Sequence, residues 1–90
     1  MRDEIKRAAA LRLGRIEGQV RGIARMVEAD RYCIDVVNQL EAVKAALKKV
    51  EDQILTDHIA HCVERAIASG DAADQRRKVA ELVELIGRMG

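Results

Sequence analysis

The sequence predicts an all-α fold, with three helices in each protomer and one very long helix in the middle. The 90 residues include one aromatic residue and no proline, and 34% are charged, with 16 basic against 15 acidic residues. β-Sandwiches and barrels draw on aromatic residues and turn breakers, whereas this composition is typical of long amphipathic helices. The length fits one small domain, so we expect residues 1–90 to form a single helical unit.

The first helix is predicted from about Asp3 to Glu28. The short stretch after it lacks Gly and Pro, and Asp30 is expected to be the N-cap of the next helix. Residues 1–31 hold eight basic and five acidic residues, so the amino-terminal third of the chain is its basic part. Apolar residues recur along this helix in steps of three and four. They are Ile5, Ala9, Leu13, Ile16, Val20, Ile23 and Val27.

The second helix is predicted from about Tyr32 to Ser69, with Gly70 as a left-handed C-cap. A third helix follows Asp71, and the short connection should fold it back near the end of the second helix. The second helix carries a nearly strict heptad seam. The seam consists of Cys33, Val36, Leu40, Val43, Leu47, Val50, Ile54, His58 and Cys62. The apolar stripe of the third helix consists of Val79, Leu82, Ile86 and Met89.

The length of the second helix predicts a dimer. About 37 residues at 1.5 Å each span roughly 55 Å, whereas a compact chain of this size is roughly 30 Å across. Half of the seam would therefore lie in water without a partner chain. In an antiparallel pair whose facing positions add to about 94, Leu40 faces Ile54, Val43 faces Val50 and Leu47 faces its own copy across a two-fold axis.

Three side chains are candidate metal ligands. His58 and Cys62 lie at i and i+4 on one helical face, but Cys33 is roughly 38 Å away along the same helix. The antiparallel register brings Cys33 of one chain near Cys62 of the other, which predicts two equivalent sites between protomers. Two thiolates and an imidazole suit Cu(I), Zn(II) or Ni(II), and a three-ligand set suits trigonal Cu(I) best. Zinc or nickel would need a fourth ligand, and His61 points about 100° away from Cys62. The alternative is that both thiols are ordinary small buried side chains.

The outer face of the first helix combines glycines with arginines. Gly14, Gly18 and Gly22 repeat every fourth residue opposite the apolar stripe. One interpretation is a solvated basic face with a glycine groove for another subunit, and the other is a surface that a DNA phosphate backbone approaches closely. The basic residues of this surface are Arg7, Arg12, Arg15, Arg21 and Arg25, which Lys44, Lys48 and Lys49 of the second helix could extend.

Several other functional classes are not supported. The sequence has no helix-turn-helix signature, zinc finger, basic zipper or Gly-rich phosphate loop. Cys33 and His58 could imitate a thiol–imidazole pair, but nothing indicates an oxyanion site or a substrate cavity, so we do not expect an enzyme. No apolar stretch approaches 18 residues and no signal-peptide core is present, so we expect a cytoplasmic protein without a membrane partner.

Four segments together resemble the copper-sensitive operon repressor (CsoR) family. They are Arg-Ile-Glu-Gly-Gln-Val-Arg-Gly-Ile at 15–23, Arg-Met-Val-Glu at 25–28, Asp-Arg-Tyr-Cys-Ile-Asp-Val at 30–36 with Gln39, and the His-x-x-x-Cys of His58 and Cys62. The resemblance covers nearly the whole chain. It implies a three-helix protomer, an antiparallel dimer and a dimer of dimers. It also implies a repressor that holds double-stranded operator DNA when empty and releases the DNA when its inducer binds.

The resemblance also implies roles for individual residues. Cu(I) would be held by Cys33 of one protomer with His58 and Cys62 of the other. Tyr32 and Glu81 would surround these ligands, and the DNA contacts would fall near Arg12 and Lys49, to which the helical wheel adds Arg15. Nickel- and cobalt-sensing members use an amino-terminal His that this chain lacks. A response to persulfide or another reactive sulfur species, or to nickel or zinc, through Cys33 and Cys62 stays open as the alternative, as does a helical interaction module.

Overall fold

A computed structural model describes residues 1–89 of the chain. The elements are α1 (Asp3–Glu28), α2 (Cys33–Asp57), a π-helical segment (His58–Val63), α3 (Glu64–Ala68) and α4 (Ala72–Arg88). No strand occurs among these 89 residues, which confirms the all-α fold class. The chain contains two units, one formed by Met1–Leu55 and one that begins at Thr56.

In the first unit, α1 and α2 form a helical hairpin with an apolar core. Ala9, Ile16 and Ile23 of α1 pack with Val43 and Val50 of α2, and each of the five is less than 9% exposed. Successive core residues are seven positions apart, which is close to two helical turns, so each helix contributes one narrow row. The predicted bounds of the first helix, Asp3 to Glu28, are confirmed.

The predicted apolar stripe of α1 divides into two rows. One row is buried and consists of Ala9, Ile16 and Ile23. The other row also has seven-residue spacing. Each of its residues lies four positions after a core residue, so the row runs along one side of the buried row and is exposed to solvent. It consists of Leu13, Val20 and Val27, which are 44%, 50% and 59% exposed.

The predicted seam of α2 divides in the same way. Val43 and Val50 are buried against α1, whereas Leu40 and Leu47 are 44% and 43% exposed. The predicted pairing of Val43 with Val50 across a dimer is therefore wrong, because α1 of the same chain already covers both side chains. Leu40 and Leu47 remain available to a partner.

The turn at 29–32 corrects one prediction. Asp30 has a φ of 53°, and its N–H donates to the carbonyl of Val27 at 3.1 Å. The N–H of Arg31 donates to the carbonyl of Met26 at 3.0 Å. Asp30 is therefore the left-handed residue that ends α1 and not the N-cap of α2, which begins at Cys33.

The predicted long second helix is helical from Cys33 to Ala68, but it is not α-helical throughout. At His58–Val63 the backbone bonding widens to the i→i+5 pattern of a π-helix. The helical stretch ends before Gly70, whose φ of 72° confirms the predicted left-handed cap. No helix among residues 1–89 has the length and hydropathy that crossing a membrane requires.

The second unit folds α4 back onto α3 and the π-helical segment. The side chain of Asp71 accepts hydrogen bonds from the N–H groups of Ala73 and Asp74 at 3.0 and 3.2 Å, so α4 begins where the sequence predicts. Gln75 Nε2 donates to the carbonyl of Ile67 at 3.1 Å and ties the two helices together. The predicted stripe of α4 is only partly correct. Leu82 and Met89 are half-buried, whereas Val79 and Ile86 are exposed.

Candidate metal centre and nucleic-acid interface

The π-helical segment carries two of the three predicted metal ligands. His58 is its first residue and Cys62 lies four residues further on, so both side chains project from one side of the helix. Both are half-buried, and Cys62 is a free thiol. π-Helical turns are rare and recur at functional sites. The segment therefore presents an imidazole and a thiol side by side, in a place that α4 partly covers.

The third predicted ligand, Cys33, is the first residue of α2 and is an exposed free thiol. Within residues 1–89 of a single chain, no three His, Cys, Asp or Glu side chains lie close enough together to hold a metal ion. The set of Cys33, His58 and Cys62 shared between two protomers stays a prediction. The same holds for the roles of Tyr32 and Glu81, which are both exposed.

A buried carboxylate next to the predicted ligands was not anticipated from the sequence. Asp57 is 4% exposed, and its Oδ1 lies 3.7 Å from Nε2 of His61. This pair directs His61 back along the helix toward Asp57, which agrees with the prediction that His61 is not an obvious ligand. The seven-residue spacing of Val43, Val50 and Asp57 is a signal that could have revealed the burial of Asp57.

The second candidate site is a cationic groove of about 390 Å³ between α1 and α2. All three residues predicted to contact DNA, Arg12, Arg15 and Lys49, line this groove. The sequence analysis assigned no role in DNA contact to the other lining residues, although helical spacing places them on the same flank. They are Ile16, Gln19, Ala42, Ala45 and Ala46.

The hairpin geometry fixes the arrangement of the groove. The turn between the antiparallel helices is centred near Asp30 and Arg31, so residues whose numbers add to about 61 lie at the same level. Arg12 is therefore level with Lys49 at one end of the groove, and Gln19 is level with Ala42 at the other. The positive charge is concentrated at the first end.

The three groove cations differ in their ion pairing from three other cations of the hairpin. Three other cations form exposed pairs with acidic residues three or four positions away, whereas Arg12, Arg15 and Lys49 have no such pair among residues 1–89. The positive charge of the groove is therefore not neutralised by the hairpin. The exposed pairs are Arg21–Glu17, Lys44–Glu41 at 3.2 Å and Lys48–Asp52 at 3.4 Å.

The glycines of α1 are also oriented as predicted. A Cβ atom placed on Gly14 or Gly18 would meet nothing within 4 Å, and one on Gly22 would meet only Nη2 of Arg25 at 3.9 Å. The glycines therefore make no packing contact of this kind within residues 1–89.

Comparison with known proteins identifies the family. The model of a family described as metal-sensitive transcriptional repressor matches residues 5–88. The chain belongs to this family. This membership confirms the resemblance inferred from the four sequence segments, and it covers both the cationic groove and the π-helical segment.

Individual members of the family are closely similar to the chain. The copper-sensing transcriptional repressor RicR of Mycobacterium tuberculosis is 51% identical over 80 residues, which are 89% of this chain and 82% of RicR. The Cu(I)-bound crystal structure of the copper-sensing repressor CsoR from Geobacillus thermodenitrificans superposes with a TM-score of 0.83 at 40% identity, and the match covers 98% of this chain and 92% of CsoR. The nickel-responsive transcriptional regulator InrS also matches, with a TM-score of 0.76 at 40% identity over 91% of this chain and 89% of InrS. These relatives are regulators and not enzymes.

Proposed function

We propose that the chain is a Cu(I)-responsive transcriptional repressor in the cytoplasm. In this proposal the apo protein binds operator DNA, and Cu(I) bound by Cys33 of one protomer with His58 and Cys62 of another releases the DNA. The observation that carries the proposal is the position of Cys33. It precedes the exposed Leu40 and Leu47 at seven-residue spacing, so the three side chains share one flank of α2. A second copy that covers these leucines would also cover Cys33.

The exposed apolar face of the hairpin supports a dimer of this kind. Residues of α1 and α2 whose numbers add to about 61 lie at the same level, so Leu13 lies beside Leu47, and Val20 lies beside Leu40. Two hairpins related by a two-fold axis can bury this face against itself, and a contiguous exposed apolar patch of this kind typically marks an interaction surface. The face consists of Leu13, Val20, Val27, Leu40 and Leu47. In the proposed assembly, two such dimers form a tetramer.

The candidate ligands fit Cu(I) in their chemistry. Both thiols are free, and His58 and Cys62 are adjacent on the π-helical segment. When bound, Cu(I) supplies a soft acceptor shared by two thiolates and an imidazole. Cys33 belongs to the hairpin that carries the cationic groove, and the π-helical segment contacts α4. We propose that Tyr32 and Glu81 surround the ligands, and that Glu81 transmits a shift of His58 to α4.

The effect on DNA is proposed as a shift between two populations of the assembly. Arg12, Arg15 and Lys49 contact the DNA backbone in the state favoured by the apo protein. Metal binding lowers DNA affinity only as far as the metal binds the DNA-free state better than the DNA-bound state, and by the same factor DNA lowers the affinity for metal.

The decisive experiment is an anaerobic Cu(I) titration of the purified protein against a competing chelator. C33A and C62A should each lose the site. Mixing the two variants should restore one site per heterodimer, because each variant supplies the ligands that the other lacks. A site contained within one chain would not be restored by mixing, and that result would overturn the inter-protomer assignment.

Repression is tested with a duplex selected from a random library by the apo protein. Fluorescence anisotropy should show binding of that duplex without metal and release on addition of one Cu(I) per site. Stoichiometric Cu(I) binding that leaves the duplex bound would contradict the release mechanism.

A second candidate function keeps the repressor and changes the inducer. The similarity to the nickel-responsive InrS favours Ni(II), and the exposed free thiol of Cys33 favours a reactive sulfur species. The same release assay with Ni(II), and with an inorganic polysulfide, separates these possibilities. Release by either agent but not by Cu(I) would replace copper as the inducer.

A further inference from the structure

We propose that the groove between α1 and α2 is a phosphate-binding site. In this site, Gln19 and the three alanines that line the groove act together with the three cations. The inference rests on the proposed function where the phosphate belongs to DNA. It goes further in treating the groove as a shaped site and not only as a patch of positive charge.

The first argument is charge. Arg12 and Lys49 are level with each other and Arg15 lies one turn further along α1, so three cations surround one end of the groove. Arg21, Lys44 and Lys48 of the hairpin have acidic partners, whereas the three groove cations have none among residues 1–89. An oxyanion ligand would supply the missing counter-charge. Arginine forks and a lysine ammonium are the side chains that phosphate recognition uses most.

The second argument is shape. Ala42, Ala45 and Ala46 occupy the α2 side of the groove, and their methyl groups leave the space of about 390 Å³ open. A volume in this range is typical of ligand clefts and exceeds what one phosphate needs, so the sugar groups next to a backbone phosphate can be accommodated. A longer side chain at Ala45 would fill the groove without changing any charge.

The third argument is the neutral donor. Gln19 lies at the end of the groove away from Lys49 and has no hydrogen-bond partner among residues 1–89. Its amide N–H₂ can donate to a phosphate oxygen that the cations do not reach. Contacts from amide side chains as well as from cations position a protein on the DNA backbone.

The phosphate could come from duplex DNA or from a free polyphosphate, and one pair of variants tests both sources. A45L closes the groove at an exposed position, and A73L adds the same side chain to an exposed position of α4 as the control. Circular dichroism establishes that both variants are folded. The probes are the selected duplex, measured by anisotropy at several salt concentrations, and inorganic tripolyphosphate, measured by calorimetry without DNA.

We expect A45L to weaken binding of the duplex by about 10-fold or more, because charge-assisted hydrogen bonds are lost. The slope of log affinity against log salt should fall by about 0.9 for each groove that no longer holds a phosphate. A73L should leave both quantities unchanged. Loss of tripolyphosphate binding in A45L, with duplex binding retained, would also support the phosphate-binding site and would assign a free anion as its ligand.

The proposal is overturned if A45L matches the wild-type protein with both probes. If the wild-type protein still binds the duplex in that case, the proposed function survives. If the wild-type protein binds no duplex, the proposed function fails. The phosphate-binding site would still be supported if the wild-type protein binds tripolyphosphate and A45L does not.

A second pair of variants tests the neutral donor without altering volume. Q19E replaces the amide by a carboxylate inside the groove, and N38D makes the same change at an exposed position of α2 outside it. We expect about a 10-fold loss of duplex affinity for Q19E and less than about a 2-fold loss for N38D. Equal losses would show that the net charge of the protein, and not the phosphate-binding site, controls duplex affinity.

Discussion

The ammonium of Lys48 lies 3.4 Å from a carboxylate oxygen of Asp52, one turn further along α2. The next residue, Lys49, lines the cationic groove and has no carboxylate partner among residues 1–89. Two adjacent lysines of one helix therefore differ in whether their charge is already neutralised. The difference offers a matched pair of variants for measuring what the groove contributes.

We expect K49A to weaken binding of the selected duplex and to lower its salt dependence. Removal of one phosphate contact lowers the slope of log affinity against log salt by about 0.9. K48A is the control and should change the slope little, because Lys48 is paired with Asp52 and lies outside the groove. Equal slopes for the two variants in an anisotropy titration would show that the groove makes no separate contribution.

We expect L47E to convert the protein to monomers. Leu47 is 43% exposed on the apolar face, and a carboxylate there would be buried without a partner in the proposed dimer. L11E is the control, since Leu11 is 61% exposed but lies on the opposite side of α1 from Leu13. Light scattering coupled to size-exclusion chromatography gives the masses. A dimer or tetramer of L47E would place the interface elsewhere.

We expect D57A to lower the free energy of unfolding by about 1–3 kcal/mol, because it removes a buried carboxylate that interacts with His61. H61A should cost less, at most about 1 kcal/mol, since His61 is 41% exposed and other interactions of Asp57 remain. Urea denaturation of the metal-free protein measures both values. A loss in H61A as large as that in D57A would mean that the Asp57–His61 pair accounts for the whole contribution of Asp57.

The two left-handed residues should respond in opposite directions to substitution. Gly70 has a φ of 72°, so G70A should destabilise the protein by about 1 kcal/mol. Asp30 has a φ of 53°, a conformation that glycine adopts without the steric penalty, so D30G should be neutral or should stabilise by up to about 1 kcal/mol. Thermal unfolding gives both shifts. A destabilised D30G would show that the Asp30 side chain makes a contribution beyond its backbone conformation.

Much of the fold follows from the sequence because helix ends carry strong local signals. Asp71 and Gly70 together mark the boundary before α4, and both function as predicted. The boundary before α2 was harder because Asp30 suits both an N-cap and a left-handed C-terminal position. The backbone hydrogen bonds of Asp30 and Arg31 to α1 decide for the second role.

The π-helical segment was not predicted, although the sequence contains a trace of it. From Val50 through Ile54 and His58 to Cys62, the seam advances in steps of four. Each step exceeds the 3.6 residues of an α-helical turn, so the row would drift around a regular helix. A wider turn at His58–Val63 compensates for part of that drift.

The candidate sites were predictable to different degrees. The family resemblance suggested Arg12 and Lys49 and the helical wheel added Arg15, but the groove that joins them depends on how two helices pack. That arrangement is set by the apolar core to which Ile16 of α1 and Val43 of α2 both belong, and spacing within one helix does not encode it.

The α1–α2 hairpin carries the cationic groove on one flank and the exposed apolar face on the other, and this arrangement restricts how its helices can change in length. Arg12 and Leu13 are neighbours in sequence but lie on opposite flanks of α1, one beside the groove and the other on the apolar face. Because each residue turns a helix by about 100°, inserting a single residue between Leu13 and Gln19 would misdirect every later side chain of α1 on both flanks. Insertion or deletion of whole seven-residue blocks, matched in α1 and α2, would preserve both flanks. The two helices of the hairpin should therefore change in length only together and only in steps of seven residues.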